Sequence, residues 1–233
     1  MADEVNQPAT DSVRLPGFGG RLTPAQIALG MNAANRNARR LAEDAKLLLE
    51  NGRFPTAASI AVLSIEESGK LSVLRGLALA PDQEVRKRAW KGYRSHRSKN
   101  TAWIVPDLVA KGVRSLDALR LAADPSGTHT LLLDQVKQLG LYTDCLGPRC
   151  WTEPKTAIDE PFAKKLVLIA DVMARREAVT SREMELWVEY MQPVYGAPLH
   201  EMKAALTRWY AAMREAGLST QDERDVESFV WGV

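Results

Sequence analysis

Residues 57–74, AASIAVLSIEESGKLSVL, read as a helix of about five turns. Ile60, Leu63, Leu71 and Leu74 recur at three- and eight-residue steps and fall on one stripe. On a wheel of ~100° per residue they span roughly 80°. Glu67 falls inside that arc, Lys70 on its edge and Glu66 a little beyond. A carboxylate in an apolar stripe is costly unless it is paired or hydrogen-bonded. Two readings are open: a buried Glu67–Lys70 ion pair one turn apart, or a polar pocket lined by these residues.

The preceding segment predicts a second long helix. Thr23-Pro24 has the form of an N-cap with proline at the first helical position. Ile27, Met31, Leu41, Ala45 and Leu48 form an inner face, and Asn51-Gly52 stops the helix near Glu50. Pro55 restarts the chain, so the two helices form an antiparallel hairpin. Ala57, Ala58, Ala61 and Ser64 let a neighbour approach closely.

Composition agrees with an all-α chain. The sequence has 233 residues, 45% hydrophobic and 26% charged, with 6% aromatic and net charge +2. Few β-branched runs occur. The first residues lack the cationic start and apolar core of a secretory signal. No apolar run reaches the ~18 residues of a membrane span, which predicts a cytoplasmic protein. Two cysteines, Cys145 and Cys150, are too few for a disulfide framework. They lack the further ligands of a zinc site, and neither a metal nor another cofactor is expected.

Residues 1–22 hold Pro8, Pro16, Gly17, Gly19 and Gly20 without periodicity and read as a flexible tail. A third helix is predicted from Asp82, with Val85, Ala89, Gly92, Tyr93 and Trp103 on one side until Pro106 ends or kinks it. His96 lies at the centre of that side, with Asn100 and Lys99 beside it. Ser115 caps a helix to Ala123, residues 124–127 form a turn, and Thr128–Gly140 forms a helix. Residues 141–154 read as a loop anchored by Tyr142 and Trp151. Helices follow over 160–178, 181–191 and 198–216, then a short polar end from Asp222. No strand is expected.

Two neighbouring helices thus offer Glu67, Lys70, His96, Lys99 and Asn100 from faces that point at each other. A histidine can move protons near neutral pH, and lysines can hold a phosphate and stabilise its developing charge. Together these suit metal-free cleavage of RNA by its own 2′-hydroxyl. From Arg86 to Lys99 there are seven Lys or Arg and no acid. That run is either a solvated helix face or the footprint for a polyanion. Lone His129 and His200 read as surface or capping residues.

The segment 35–75, NRNARRLAEDAKLLLENGRFPTAASIAVLSIEESGKLSVLR, resembles the start of the AbiV family of abortive-infection proteins, within the HEPN superfamily. His96-Arg97-Ser98-Lys99 and Leu141-Tyr142 … Trp151-Thr152-Glu153-Pro154 follow in the expected order. The resemblance covers Thr23 to Ala178. It divides the chain into a tail (1–22), a HEPN-like antiparallel bundle (23–178) and a C-terminal helical extension (179–233). It implies a homodimer in bacterial anti-phage defence and a metal-independent endoribonuclease. RNA and a phage protein trigger or antitoxin are the implied partners. The superfamily signature is an arginine, then four to six intervening residues, then a histidine. Here the arginine positions hold Ala89, Trp90 and Lys91, and Lys91 lacks the bidentate fork of arginine.

Two functions fit. In the enzyme, His96 transfers a proton, Lys99 and Lys70 polarise phosphate, and Glu67 orients His96 or a lysine. Glu66, Lys91, Arg94, Arg97 and Asn100 contact the substrate. In the alternative, a catalytically silent helical module binds RNA or a partner protein.

Overall fold

The structure, a computed structural model, describes residues 17–120, 127–147, 150–174 and 177–232. The expected tail up to Pro16, the end of the helix at 121–123 and the turn at 124–126 lie outside them. The described residues form twelve α-helices and one small two-stranded hairpin, an all-α fold.

The hairpin of α1 (Pro24–Glu50) and α2 (Phe54–Ala78) is the frame. Thr23 caps α1: its hydroxyl accepts from the Gln26 N–H at 3.2 Å, and the Gln26 side chain accepts from the Thr23 N–H at 2.9 Å. Gly52 takes φ +69° between the helices, a left-handed value that costs glycine little. The buried face of α2 is rich in small residues, Ala57, Ala58, Ala61, Ser64 and Gly69, with Val62, Ile65, Leu74 and Leu77 among them. Of the four residues expected as the central stripe, Leu74 is buried, whereas Ile60, Leu63 and Leu71 are half-buried. Small side chains let α1 and the later helices close on α2 from several sides, which moves Ile60, Leu63 and Leu71 to the edges. The Ser64 hydroxyl donates to the Ala38 carbonyl at 2.7 Å and ties the pair together.

The third predicted helix breaks in two. α3 (Gln83–Arg94) ends at Ser95, which is extended (φ −86°, ψ 127°) and begins α4 (His96–Lys99). His96 and Trp103 are therefore not on the α3 wheel. Pro106 starts α5 (Val105–Ala110) rather than ending a helix, because a first-turn proline lacks only an N–H that has no helical partner. α6 (Leu116–Arg120) and α7 (His129–Leu141) follow.

The expected loop contains a hairpin, β1 (Asp144–Leu146) against β2 (Cys150–Thr152), with Cys145 opposite Trp151. Tyr142 and Trp151 are exposed and anchor nothing. After the single turn α8 (Pro154–Ala157), α9 (Glu160–Met173) packs on α1 and α2 and ends earlier than predicted. Leu133, Val136, Leu166 and Ile169 join the alanines of the hairpin in the main core. α10 (Ser181–Met191) docks through Met184 against Ile27, Met31, Leu74 and Trp90. A 3₁₀ turn (Gln192–Val194) leads to α11 (Leu199–Glu215), and the expected polar end is a helix, α12 (Glu223–Trp231), capped by Asp222. Residues 17–22 lie against α3: the Trp90 indole donates to the Gly20 carbonyl at 2.9 Å, and Phe18 packs edge-on against Trp90.

Candidate functional site

Glu66 projects from the middle of α2 into the interior, 3% exposed. Three cationic or ionisable groups converge on it from two other helices. His96 Nδ1 is 2.7 Å from Glu66 Oε2, Lys137 Nζ is 2.6 Å from Oε1, and Lys99 Nζ is 3.6 Å from Oε2. Lys137 Nζ also lies 3.2 Å from His96 Nδ1 and 3.2 Å from Asp134 at the rim. Burial alone would push the Glu66 carboxyl up. Hydrogen bonds from Lys137 and His96, with the charges of Lys137 and Lys99, outweigh it and hold the carboxyl below the usual range.

Local sequence explains why α4 reaches this point. Gly69 lies one turn after Glu66, and the Lys99 backbone passes directly over it. Any Cβ on residue 69 would overlap the Lys99 carbonyl oxygen. Ser95 turns the chain, its hydroxyl accepts from the Ser98 N–H at 3.4 Å, and the short helix then drops onto the glycine. Lys99 and Asn100 are thereby buried, while the His96 side chain stays 55% exposed. The Asn100 side chain is fully enclosed and makes no hydrogen bond among the described residues.

With Glu66 accepting at Nδ1, the imidazole is assigned its proton there and Nε2 is left to receive one. Two buried lysines share a single buried carboxylate, so the charge beneath the ring favours an anion near it. The arrangement can orient a histidine and stabilise negative charge near it.

The expected residues are placed in different surroundings. His96, Lys99 and Glu66 meet, with Asn100 beside them. Glu67, expected to orient His96, instead pairs with Lys70 at 2.5 Å, and the Lys70 ammonium sits over the Tyr93 ring, 5.3 Å from its centroid. Turning at Ser95 brings α4 down on the Gly69 side of α2, so Glu66 takes the place expected of Glu67. Arg94 is engaged elsewhere, donating to the Phe18 carbonyl at 2.5 Å and stacking on Trp90. Lys91 and Arg97 are exposed, Lys91 on α3 and Arg97 on α4.

Sequence reasoning missed Lys137. A signal existed: Leu133, Val136, Lys137 and Gly140 share one stripe of α7, and all four are buried. A lysine inside an apolar stripe carries the same meaning as a carboxylate inside one.

Residues 26–175 match the family model described as AbiV, a HEPN family. The chain belongs to the AbiV family. The match makes it an abortive-infection HEPN domain and covers α1 through α9. No curated protein and no solved structure matches the chain. No helix among the described residues is long and apolar enough to cross a membrane.

Proposed function

We propose that this AbiV protein is a metal-independent endoribonuclease that cleaves RNA by attack of the 2′-hydroxyl on the adjacent phosphate. One observation carries the reading. His96, more than half exposed, is held at Nδ1 by a buried carboxylate that two buried lysines already bind. A structural ion pair has no need of a solvent-facing imidazole.

As the O2′–P bond forms, the P–O5′ bond breaks, leaving a 2′,3′-cyclic phosphate and a 5′-hydroxyl. The O2′ proton must leave and O5′ must gain one; His96 Nε2 carries one of these transfers. Glu66 fixes the ring, and Lys99 and Lys137 supply a fixed positive field under the phosphate rather than gripping it. Arg97 and Lys91, both exposed, steer the polyanion. Glu67, Lys70 and Arg94 take no part. In this reading the protein works in the cytoplasm as a two-fold homodimer, with a phage protein or antitoxin controlling it. A monomeric mass by light scattering at micromolar concentration would count against the dimer.

The test is purified protein with total RNA, with and without EDTA, beside His96→Ala. Loss of His96 should slow cleavage by about 10²–10⁴-fold with RNA binding nearly unchanged. EDTA should change nothing, and products should end in cyclic phosphate. Products with 5′-phosphate, or activity abolished by EDTA, refute the mechanism. One observation favours the silent module: Lys91, the residue at the signature's cation position, is exposed and makes no ion pair with the cluster among the described residues. Binding of RNA without cleavage by the intact protein would establish that reading.

A further inference from the structure

We propose that the groove beside α4 is a nucleobase subsite for the RNA strand, seating a base adjacent to the phosphate that His96 faces. This rests on the ribonuclease reading of the neighbouring site. The groove, of about 490 Å³, lies between α2, α3 and the segment that follows α4. Its floor is made of small side chains, among them Gly76, Ala89 and Gly92. Tyr195 lines one side and is 46% exposed. Arg88 stands at the edge, exposed, and no acidic residue lines the groove among the described residues.

Position ties the groove to the site. Seven residues separate Glu66 from Val73, close to two helical turns, so the two point nearly the same way about 10 Å apart along α2. α4 crosses between them at Gly69. Ser98 therefore faces the groove while His96, two residues earlier, faces Glu66. A strand whose phosphate lies over His96 crosses α4 and brings its next base over the groove. A floor of small side chains, an aromatic ring and an arginine, in a groove that no acidic residue lines among the described residues, match a base joined to a phosphate. Stacking on tyrosine does not depend on which base it is, so the subsite accepts single-stranded RNA of mixed sequence.

Tyr195 lies outside the residues matched by the family. It follows the 3₁₀ turn after α10, in the C-terminal extension. The extension thus supplies one side of a substrate groove whose other sides belong to the AbiV domain.

The experiment uses fluorescence polarisation with a short 2′-O-methyl RNA, which cannot be cleaved through its 2′-oxygen. A matching set of strands carries one abasic position at a time. Gly76→Leu fills the groove from α2, where an added Cβ meets nothing within 4 Å. It also replaces a helix-interior glycine by a better helix former, so folding is not threatened. Tyr195→Ala removes the ring. Each variant should bind the intact strand roughly five- to hundredfold more weakly. The difference from wild type should vanish for one abasic strand. Unchanged affinity in both variants, equal weakening for every strand, or no binding by wild type overturns the subsite. If binding follows this pattern and the protein cuts no RNA, the subsite stands and the nuclease reading falls.

Discussion

Replacing Glu66 by leucine tests whether the cluster is one electrostatic unit. The change keeps similar bulk and removes the buried carboxylate that Lys137, Lys99 and His96 share. The Lys137 and Lys99 side chains are 10% and 9% exposed, so neither ammonium regains full hydration when its partner goes. Breaking a buried pair by deleting one member costs about 3–5 kcal/mol. For a chain of this size each kcal/mol lowers Tm by about 2–4 °C, so the expected loss is about 6–20 °C. Asp134, at the rim beside Lys137, places the outcome toward the lower end. Glu67→Leu is the internal control. Its partner Lys70 is an i,i+3 neighbour at a partly exposed position, worth about 0.5 kcal/mol, and its Tm should move by less than about 2 °C. The decisive variant is Glu66→Leu combined with Lys137→Met, which should recover at least half of the loss because apolar replacements of both members are tolerated. Calorimetry at neutral pH reads these four proteins and the Lys137→Met single variant that completes the cycle. If Glu66→Leu melts with the wild type, or the double variant is worse than the sum of its parts, the cluster is not the coupled unit described here.

Three further outcomes follow from the same geometry. Glu66 has a folded-state pKa below its unfolded one, so its stabilisation is fully present above about pH 4.3 and is lost as pH falls through the folded value; urea midpoints should drop toward acid in wild type, and more shallowly in Glu66→Leu. Gly69→Ala should cost about 1–3 kcal/mol by overpacking against Lys99, with hydrogen exchange rising first over residues 95–100; protection unchanged there would show that α4 does not rest on Gly69. Arg97→Ala should weaken RNA binding and flatten its salt dependence, whereas Arg94→Ala, whose side chain holds Phe18, should leave the salt slope as it is; the reverse order would reassign the binding face.

The hairpin was legible because its signals are local. Thr23, Pro24, Asn51, Gly52 and Pro55 state where two long helices begin and end, and periodicity does the rest. The site was legible only in part, and the failure has a definite source. A helical wheel assumes that the helix continues. Extending α3 through Ser95 gave His96 an orientation set by Val85 and Ala89, whereas the structure sets it by where α4 lands on α2. The wheel on α2 erred differently: it centred the interior on Ile60, Leu63, Leu71 and Leu74, of which only Leu74 is buried, whereas the packed face runs through Ala57, Ala61, Ser64, Ile65 and Gly69. That single shift exchanges Glu67 for Glu66. The tertiary partner Lys137, 71 positions from Glu66 in sequence, could be inferred as buried but not as paired with a particular carboxylate.

The glycine in Glu66-Glu67-Ser68-Gly69-Lys70 connects the sequence motif to the chemistry. Read in the sequence, it is a helix-interior glycine that weakens α2 by about 1 kcal/mol relative to alanine. In the fold it is a position at which the Lys99 backbone comes so close to α2 that a Cβ would overlap it. Without that approach Lys99 would leave the interior, Glu66 would lose a cation, and His96 would stand off its acceptor. The local cost of Gly69 is therefore inseparable from the geometry that presents the imidazole to solvent. The motif's two acids have different partners: Glu66 holds His96, Lys99 and Lys137 together, and Glu67 pairs with Lys70 outside the cluster.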